Sequence, residues 1–194
     1  MQEKLRKIGV AWLNFESQTK RFIPINTSQL SWRVHLLPYL DQLPLYEQFK
    51  LDEPWDSAHN RRLVARMPKV YADPGADPAA IAAGKTTFQV FTGEGTPFAD
   101  PAKGPTFRGI TDGTSNTIAL AEMHPDDAVP WTKPEDRPFD ADKPLDGVGN
   151  PRRPGGMFVV GLLDGSVRMV DPTIEPGTFK AMVTPAGGEM IPGP

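Results

Sequence analysis

Apolar positions near the start of the chain recur as Leu5, Ile8, Trp12 and Phe15, with Gly9 and Leu13 beside them, while Lys4, Arg6, Lys7 and Glu16 fall mostly on the other side. Steps of three and four residues trace one face of an α-helix, so residues 2–18 are predicted to form an amphipathic helix packed on something else. Pro24 ends the approach of that segment. Residues 31–41 and 44–50 read as two short helices, with Pro44 at a first helical position where its missing N–H costs nothing. Residues 56–66 read as another helix, N-capped by Asp56 or Ser57 and stopped by Pro68.

The pattern then changes. Residues 86–92 are β-branched and aromatic, as in a strand. Residues 117–122 alternate, which predicts Ile118 and Leu120 on one face. Two apolar runs, 157–163 and 166–170, flank Asp164-Gly165. That is a hairpin signal, because a type I′ turn needs positive φ at both central residues and Asp-Gly supplies it. A short helix near 176–184 closes the pattern, and 124–156 reads as a long loop rich in Pro, Asp and Gly. Loops of that length in a compact domain are usually functional or poorly ordered. Helices first and strands later predict an α+β fold. In it the N-terminal helix and short helices pack on an antiparallel sheet with long irregular loops, all in one domain over 1–194.

Composition narrows the function classes. Hydrophobic residues make up 39 % of the 194 residues, enough for a core, and the net charge of −3 argues against a nucleic-acid partner. The 22 Pro and 18 Gly mark a loop-rich chain without making it disordered at that apolar content. With no Cys, disulfides, zinc-thiolate sites, iron–sulfur clusters and thiol catalysis are removed. No apolar run is long enough to span a bilayer, and no signal peptide is visible in the charged start Gln2-Glu3-Lys4. The chain is therefore expected to be a fragment, or a form without its membrane anchor, with 1–20 the remainder of a longer N-terminal helix.

Candidate chemistry is sparse. Asp112, Thr114, Ser115, Asn116 and Thr117 place five oxygen-bearing side chains in six residues, which suits a hard cation such as Ca²⁺, with Glu122 and Asp164 joining from neighbouring strands. The alternative is a tight turn in which Asp112 and Asn116 bond their own backbone. Asp164-Gly165-Ser166 is likewise a hairpin turn or a ligand group. Trp131 stands in a polar loop with Lys133, Glu135 and Asp136, either as a partner-binding anchor with Glu135 and Asp136 or as a plug folding the loop onto the body. Trp12, Trp32 and Trp55 read as core. His35, His59 and His124 are scattered, with no HExxH pair, nucleophile elbow, P-loop or dinucleotide fingerprint, so no catalytic set is expected. Asn26-Thr27-Ser28 fits a glycosylation sequon.

Several blocks, in order, resemble one family. They are KLRKIGVAWLNFE at 4–16, WRVHLLPYLDQLPLYEQFKLDEPWDSAHN at 32–59, ITDGTSNTIALAE at 110–122, VPWTKPEDRPFD at 129–140, DGSVR at 164–168 and TIEPGTFKAMVTPAGGEMI at 173–191. The chain is identified by them as a member of the DUF1559 family, prepilin-like or pseudopilin-like proteins common in planctomycetes. The resemblance implies a pilin-like build and a non-enzymatic structural or assembly role in the cell envelope or outside it, in a type II secretion or pilus-type system. The implied partners are other pilin-like subunits or envelope proteins, with the membrane reached only through the missing N-terminal helix. Calcium loops in the more distantly similar major pseudopilins add to the Ca²⁺ reading. Two departures stand out: relatives place a His where Pro154 follows Arg152 and Arg153, and a Cys near Ala72. The alternative function is an extracellular glycan- or protein-binding module using 124–156, and an enzyme ranks below both.

Overall fold

The computed structural model describes residues 1–27 and 29–187. Ser28 of the sequon and the end of the tail block beyond 187 lie outside them. Helix α1 (Gln2–Thr19) follows the apolar stripe: Leu5, Ile8, Gly9, Ala11 and Trp12 are buried. It ends at Lys20, whose left-handed φ of 59° turns its N–H back onto the Glu16 carbonyl. After the short pair β1 (Asn26–Thr27) and β2 (Leu30–Ser31) come α2 (Trp32–His35), a 3₁₀ turn (Leu37–Leu40) and α3 (Leu43–Tyr46). These are the two short helical regions expected, with Pro44 inside the first turn of α3.

The segment expected as a helix over 56–66 is a 3₁₀ helix confined to Asn60–Arg66. Ser57 still caps locally, accepting from the Asn60 N–H at 3.0 Å. Buried Asn60 instead spends its side chain on the preceding loop. Its Oδ1 accepts from Lys50 N at 3.0 Å, and its Nδ2 donates to the Lys50, Glu53 and Pro54 carbonyls. That tie holds 50–54 against the turn.

After α4 (Pro78–Ala82), the stretch read as one strand at 86–92 breaks into three pieces with three partners. β3 (Lys85–Thr86) pairs with β7 (Val129–Pro130), β4 (Phe88–Gln89) with β6 (Ile118–Glu122), and β5 (Phe91–Thr92) with β8 (Arg137–Pro138). The last pair is parallel, a departure from the purely antiparallel expectation. The main sheet is antiparallel, in the order β10-β9-β6-β4, with β9 at Phe158–Leu162 and β10 at Val167–Val170. Helix α5 (Pro176–Val183) follows.

The sheet is covered on both faces. Trp12, Trp32, Leu120, Val159 and Leu163 share one cluster with α1, whereas Ile118, Phe158, Val160, Leu162, Phe179 and Met182 form a second with α5. Ile118 and Leu120 therefore face opposite ways, contrary to simple alternation. The cause is a register shift against β9 between them, a bulge that flips the faces. With the expected α-layer on an antiparallel sheet in place, the fold is α+β. Among the described residues no helix is long and apolar enough to cross a membrane.

The β9–β10 hairpin forms, but not through a type I′ turn. Positive φ belongs to Gly165 (81°) and not to Asp164. The Gly165 N–H donates to Leu162 O, and the Leu162 N–H to Ser166 O, both at 2.9 Å. This is the three-residue loop Leu163-Asp164-Gly165, a type I turn closed by a left-handed residue. Gly165 also lies against α1: a Cβ on Gly9 would stand 2.9 Å from the Gly165 Cα. Backbone rather than a yielding side chain blocks that space. Gly9→Leu is thus expected to destabilise the fold by about 1–3 kcal/mol, even though it raises helix propensity by roughly 1 kcal/mol. Urea titration of both variants checks this, with Gly177→Ala on α5, where a Cβ meets nothing within 4 Å, expected to be neutral or slightly stabilising.

Candidate functional site

The turn at 112–117 is stitched by bonds onto its own backbone carbonyls, two of them from side chains. Asn116 N–H donates to Gly113 O at 3.0 Å, Asn116 Nδ2 to Asp112 O at 3.0 Å and Thr117 Oγ1 to Gly113 O at 3.1 Å. Asp112 Oδ2 accepts from the Gly187 N–H at 2.8 Å, and Asp164 N–H donates to Thr114 O at 3.1 Å. Asp164 Oδ1 is occupied by the N–H and hydroxyl of Ser166. The structure thus gathers Asp112, Thr114, Asn116 and Asp164 around one turn.

Glu122 is not with them. It sits at the far end of β6, about 13 Å along the strand from Ile118 at 3.3 Å per residue, and faces Arg153 instead. Among the described residues no group of three His, Cys, Asp or Glu is placed to hold a metal ion. Asn116 spends its side chain on the turn's own backbone, whereas the Asp112 carboxylate accepts from the Gly187 N–H of the C-terminal stretch. Melts of the chain in millimolar Ca²⁺ and in EDTA are expected to superimpose, since a ligand of the folded state alone raises stability. A rise with Ca²⁺ that Asp112→Ala abolishes would restore the metal reading.

The 124–156 segment is woven into the body rather than held away from it. Trp131 is fully buried, stacked on Tyr71 at 5.9 Å and edge-on to Phe49 at 5.7 Å, with its Nε1 donating to Val64 O at 2.8 Å. Of the two readings of this Trp, the plug is what the structure holds. Asp136 is equally committed. Its side chain is 2 % exposed and accepts from Arg33 Nη2 at 2.7 Å, Val90 N at 3.0 Å and Trp32 Nε1 at 3.2 Å. Burial pushes the Asp136 carboxyl upward, opposed by the Arg33 guanidinium and the two N–H donors. Arg33 in turn donates to Phe88 O and Ser31 Oγ and lies 4.5 Å over the Trp32 ring. Only Glu135, ion-paired with Lys133, stays at the surface, so Trp131, Glu135 and Asp136 do not form one contact face.

A second charge cluster has no counterpart in the sequence patterns. Arg153 bridges two buried carboxylates, Asp73 at 2.9 Å through Nη2 and Glu122 at 2.7 Å through Nε. Asp73 also accepts from Gly75 N at 2.7 Å and Thr87 Oγ1 at 3.3 Å, while Asn150 Nδ2 donates to Gly75 O at 3.2 Å. Lys4 of α1 reaches the same corner, donating to Lys69 O and Ala72 O at 2.8 and 2.6 Å, and burial lowers its pKa. Acids and cations scattered over 150 residues carry no periodic signal.

The cluster makes stability depend on pH. Burial raises the Glu122 pKa above 4.5, against the Arg153 charge and with the Asp73 charge. Its Oε2 has no hydrogen-bond partner among the described residues. The folded chain therefore keeps a proton that the unfolded chain releases. Glu122 contributes its stability in full below the usual Glu range, and that contribution is lost as pH rises through the raised folded value. Urea titrations from acid to neutral pH are expected to show a difference between the native chain and Glu122→Gln that changes in favour of the Gln variant as pH rises. A difference that stays constant with pH would refute the raised pKa.

A family model described as a protein of unknown function, DUF1559, matches residues 2–151. Neither a curated protein nor a solved structure matches.

Proposed function

The chain belongs to the DUF1559 family, and on that footing we propose that it is a non-enzymatic, pseudopilin-like structural subunit of the cell envelope, working in an assembly of the secretion or pilus type. The observation that carries this reading is the placement of α1. Its 18 residues lie against the β9–β10 hairpin and the 3₁₀ turn at Leu37–Leu40, with one stripe buried and the opposite stripe facing out. An amphipathic N-terminal helix laid on an antiparallel sheet is the build of a pilin-like subunit. The helix is fastened at three points: Trp12 at 4.8 Å from Trp32, Gly9 against Gly165, and Lys4 in the 69–72 carbonyls. A fixed helix can transmit force from an anchor to the body without peeling away.

The binding-module alternative draws less support, because two of its three contact residues serve the interior. Fractionation of the source bacterium tests the proposal. The polypeptide carrying this sequence is expected in the envelope fraction, in complexes heavier than one chain. Recovery solely from the cytosol as a single chain would overturn it.

A further inference from the structure

Charge is unevenly divided along the chain. Residues 1–70 hold eleven Lys and Arg against seven Asp and Glu, a net of +4, whereas residues 71–194 hold ten against seventeen, a net of −7. Four of those eleven cations stand at a groove of ≈ 1010 Å³ beside α1. Its rim carries Arg6, Lys7, Arg66 and Lys69, and its apolar lining includes Val10 and Leu40. Val10 is 49 % exposed, unusual for a β-branched apolar residue on a packed helix. The groove's two acids are Glu3, paired with Lys7 at 3.0 Å, and Asp41. Arg6 and Lys69 enter no ion pair among the described residues, and Arg66 meets the Gln48 amide oxygen.

The negative part has its own surface. Residues 126–146 hold seven acids against three cations, and all of the acids but Asp136, which is buried on Arg33, belong to that surface. Arg137 is engaged by Asp127 and Asp146, and Lys133 by Glu135. Asp140 and Asp142 are exposed and enter no ion pair among the described residues, and the Asp126 side chain is 81 % exposed. No residue lines both this segment and the groove.

We propose that the α1 groove of one copy receives the acidic 126–146 segment of a second copy. This rests on the assembly reading above and gives it a contact. Both complementary surfaces belong to the same chain, and exposed opposite charges attract over about 8–10 Å at moderate salt. Two different patches that fit one another make a heterologous contact, which repeats from copy to copy unless its rotation happens to close a ring. The partially apolar groove adds burial of Val10 to the charge pairing, so the contact is not held by exposed ion pairs alone, which are individually weak.

Sedimentation velocity of the 194-residue chain tests this. At low ionic strength a faster-sedimenting species is expected, lost on adding salt to about 0.5 M because the charges are then screened. The double variants Arg66→Glu/Lys69→Glu and Asp140→Lys/Asp142→Lys are each expected to sediment as single chains. Their equimolar mixture is expected to recover the faster species, because each then presents the complement of the other. That recovery also shows both variants to be folded. A wild-type chain that is monomeric at low salt, or reversed variants that associate as well as it does, would overturn the contact. A monomer here from a protein that still resides in envelope complexes removes this contact and leaves the assembly reading standing.

Discussion

Asp136→Ala is expected to lower folding stability by about 3–5 kcal/mol, the range for removing one partner of a buried ion pair. Arg33 has a fully buried side chain and is held by Asp136, Phe88 O and Ser31 Oγ. Without the carboxylate, a guanidinium remains in the interior with its charge uncompensated. The Val90 N–H and the Trp32 Nε1–H lose their acceptor at the same time. The cost is that of a stranded charge more than of a lost attraction. Replacing both partners, Asp136→Leu with Arg33→Met, is therefore expected to be less damaging than Asp136→Ala alone. Urea denaturation of the three chains checks the order. A single variant no worse than the double one would mean that the pair is not buried as described. Amide exchange should be fastest, in the single variant, along 129–140, because the pair fastens that segment to α2.

Trp131→Ala is expected to cost a similar amount, about 3–5 kcal/mol, by opening a cavity in the core. The indole is enclosed by Tyr71 and Phe49, and its N–H is the partner of Val64 O. Trp131→Phe keeps most of the apolar volume but leaves Val64 O without that donor, so a smaller loss is expected, including about 1–3 kcal/mol for the unmet carbonyl. The two variants separate packing from hydrogen bonding. A Trp131→Ala chain as stable as the native one would return Trp131 to the surface and revive the binding-module reading. The Tyr71 hydroxyl, donating to Arg33 O at 2.9 Å with its pKa pushed upward by burial, links this aromatic stack to the Arg33–Asp136 pair. Effects of Trp131 and Asp136 substitutions are thus expected to be non-additive.

What could be read from the sequence was local. The stripe Leu5-Ile8-Trp12 repeats at the helical period, and α1 forms there. The short helices around Trp32 and Leu45, the hairpin at Asp164-Gly165 and α5 followed from equally local signals. The hairpin's turn type did not, because Asp-Gly serves both a two-residue I′ turn and a three-residue loop with Gly in the left-handed position. The choice rested on where the flanking strands paired. Ile118 and Leu120 were assigned one face because alternation is blind to a bulge. Polar neighbours Lys133, Pro134 and Glu135 allow Asp136 a surface place and leave Trp131 open between a surface anchor and a plug. Their partners Arg33 and Val64 lie 103 and 67 positions away, a distance over which periodicity says nothing. The bridge from Asp73 through Arg153 to Glu122 was invisible for the same reason.

The central claim is that this chain works as one subunit among others in the envelope, and a single cysteine can report on it because the chain has none of its own. Met169, 52 % exposed on β10 and outside the groove and the acidic segment, is a suitable position. The Met169→Cys protein would be expressed in its own bacterium and intact cells treated with a membrane-impermeant bifunctional maleimide. The predicted result is modification without lysis, together with cross-linked species heavier than one chain. Modification only after the cells are broken open, with a single uncross-linked chain throughout, would contradict an envelope subunit.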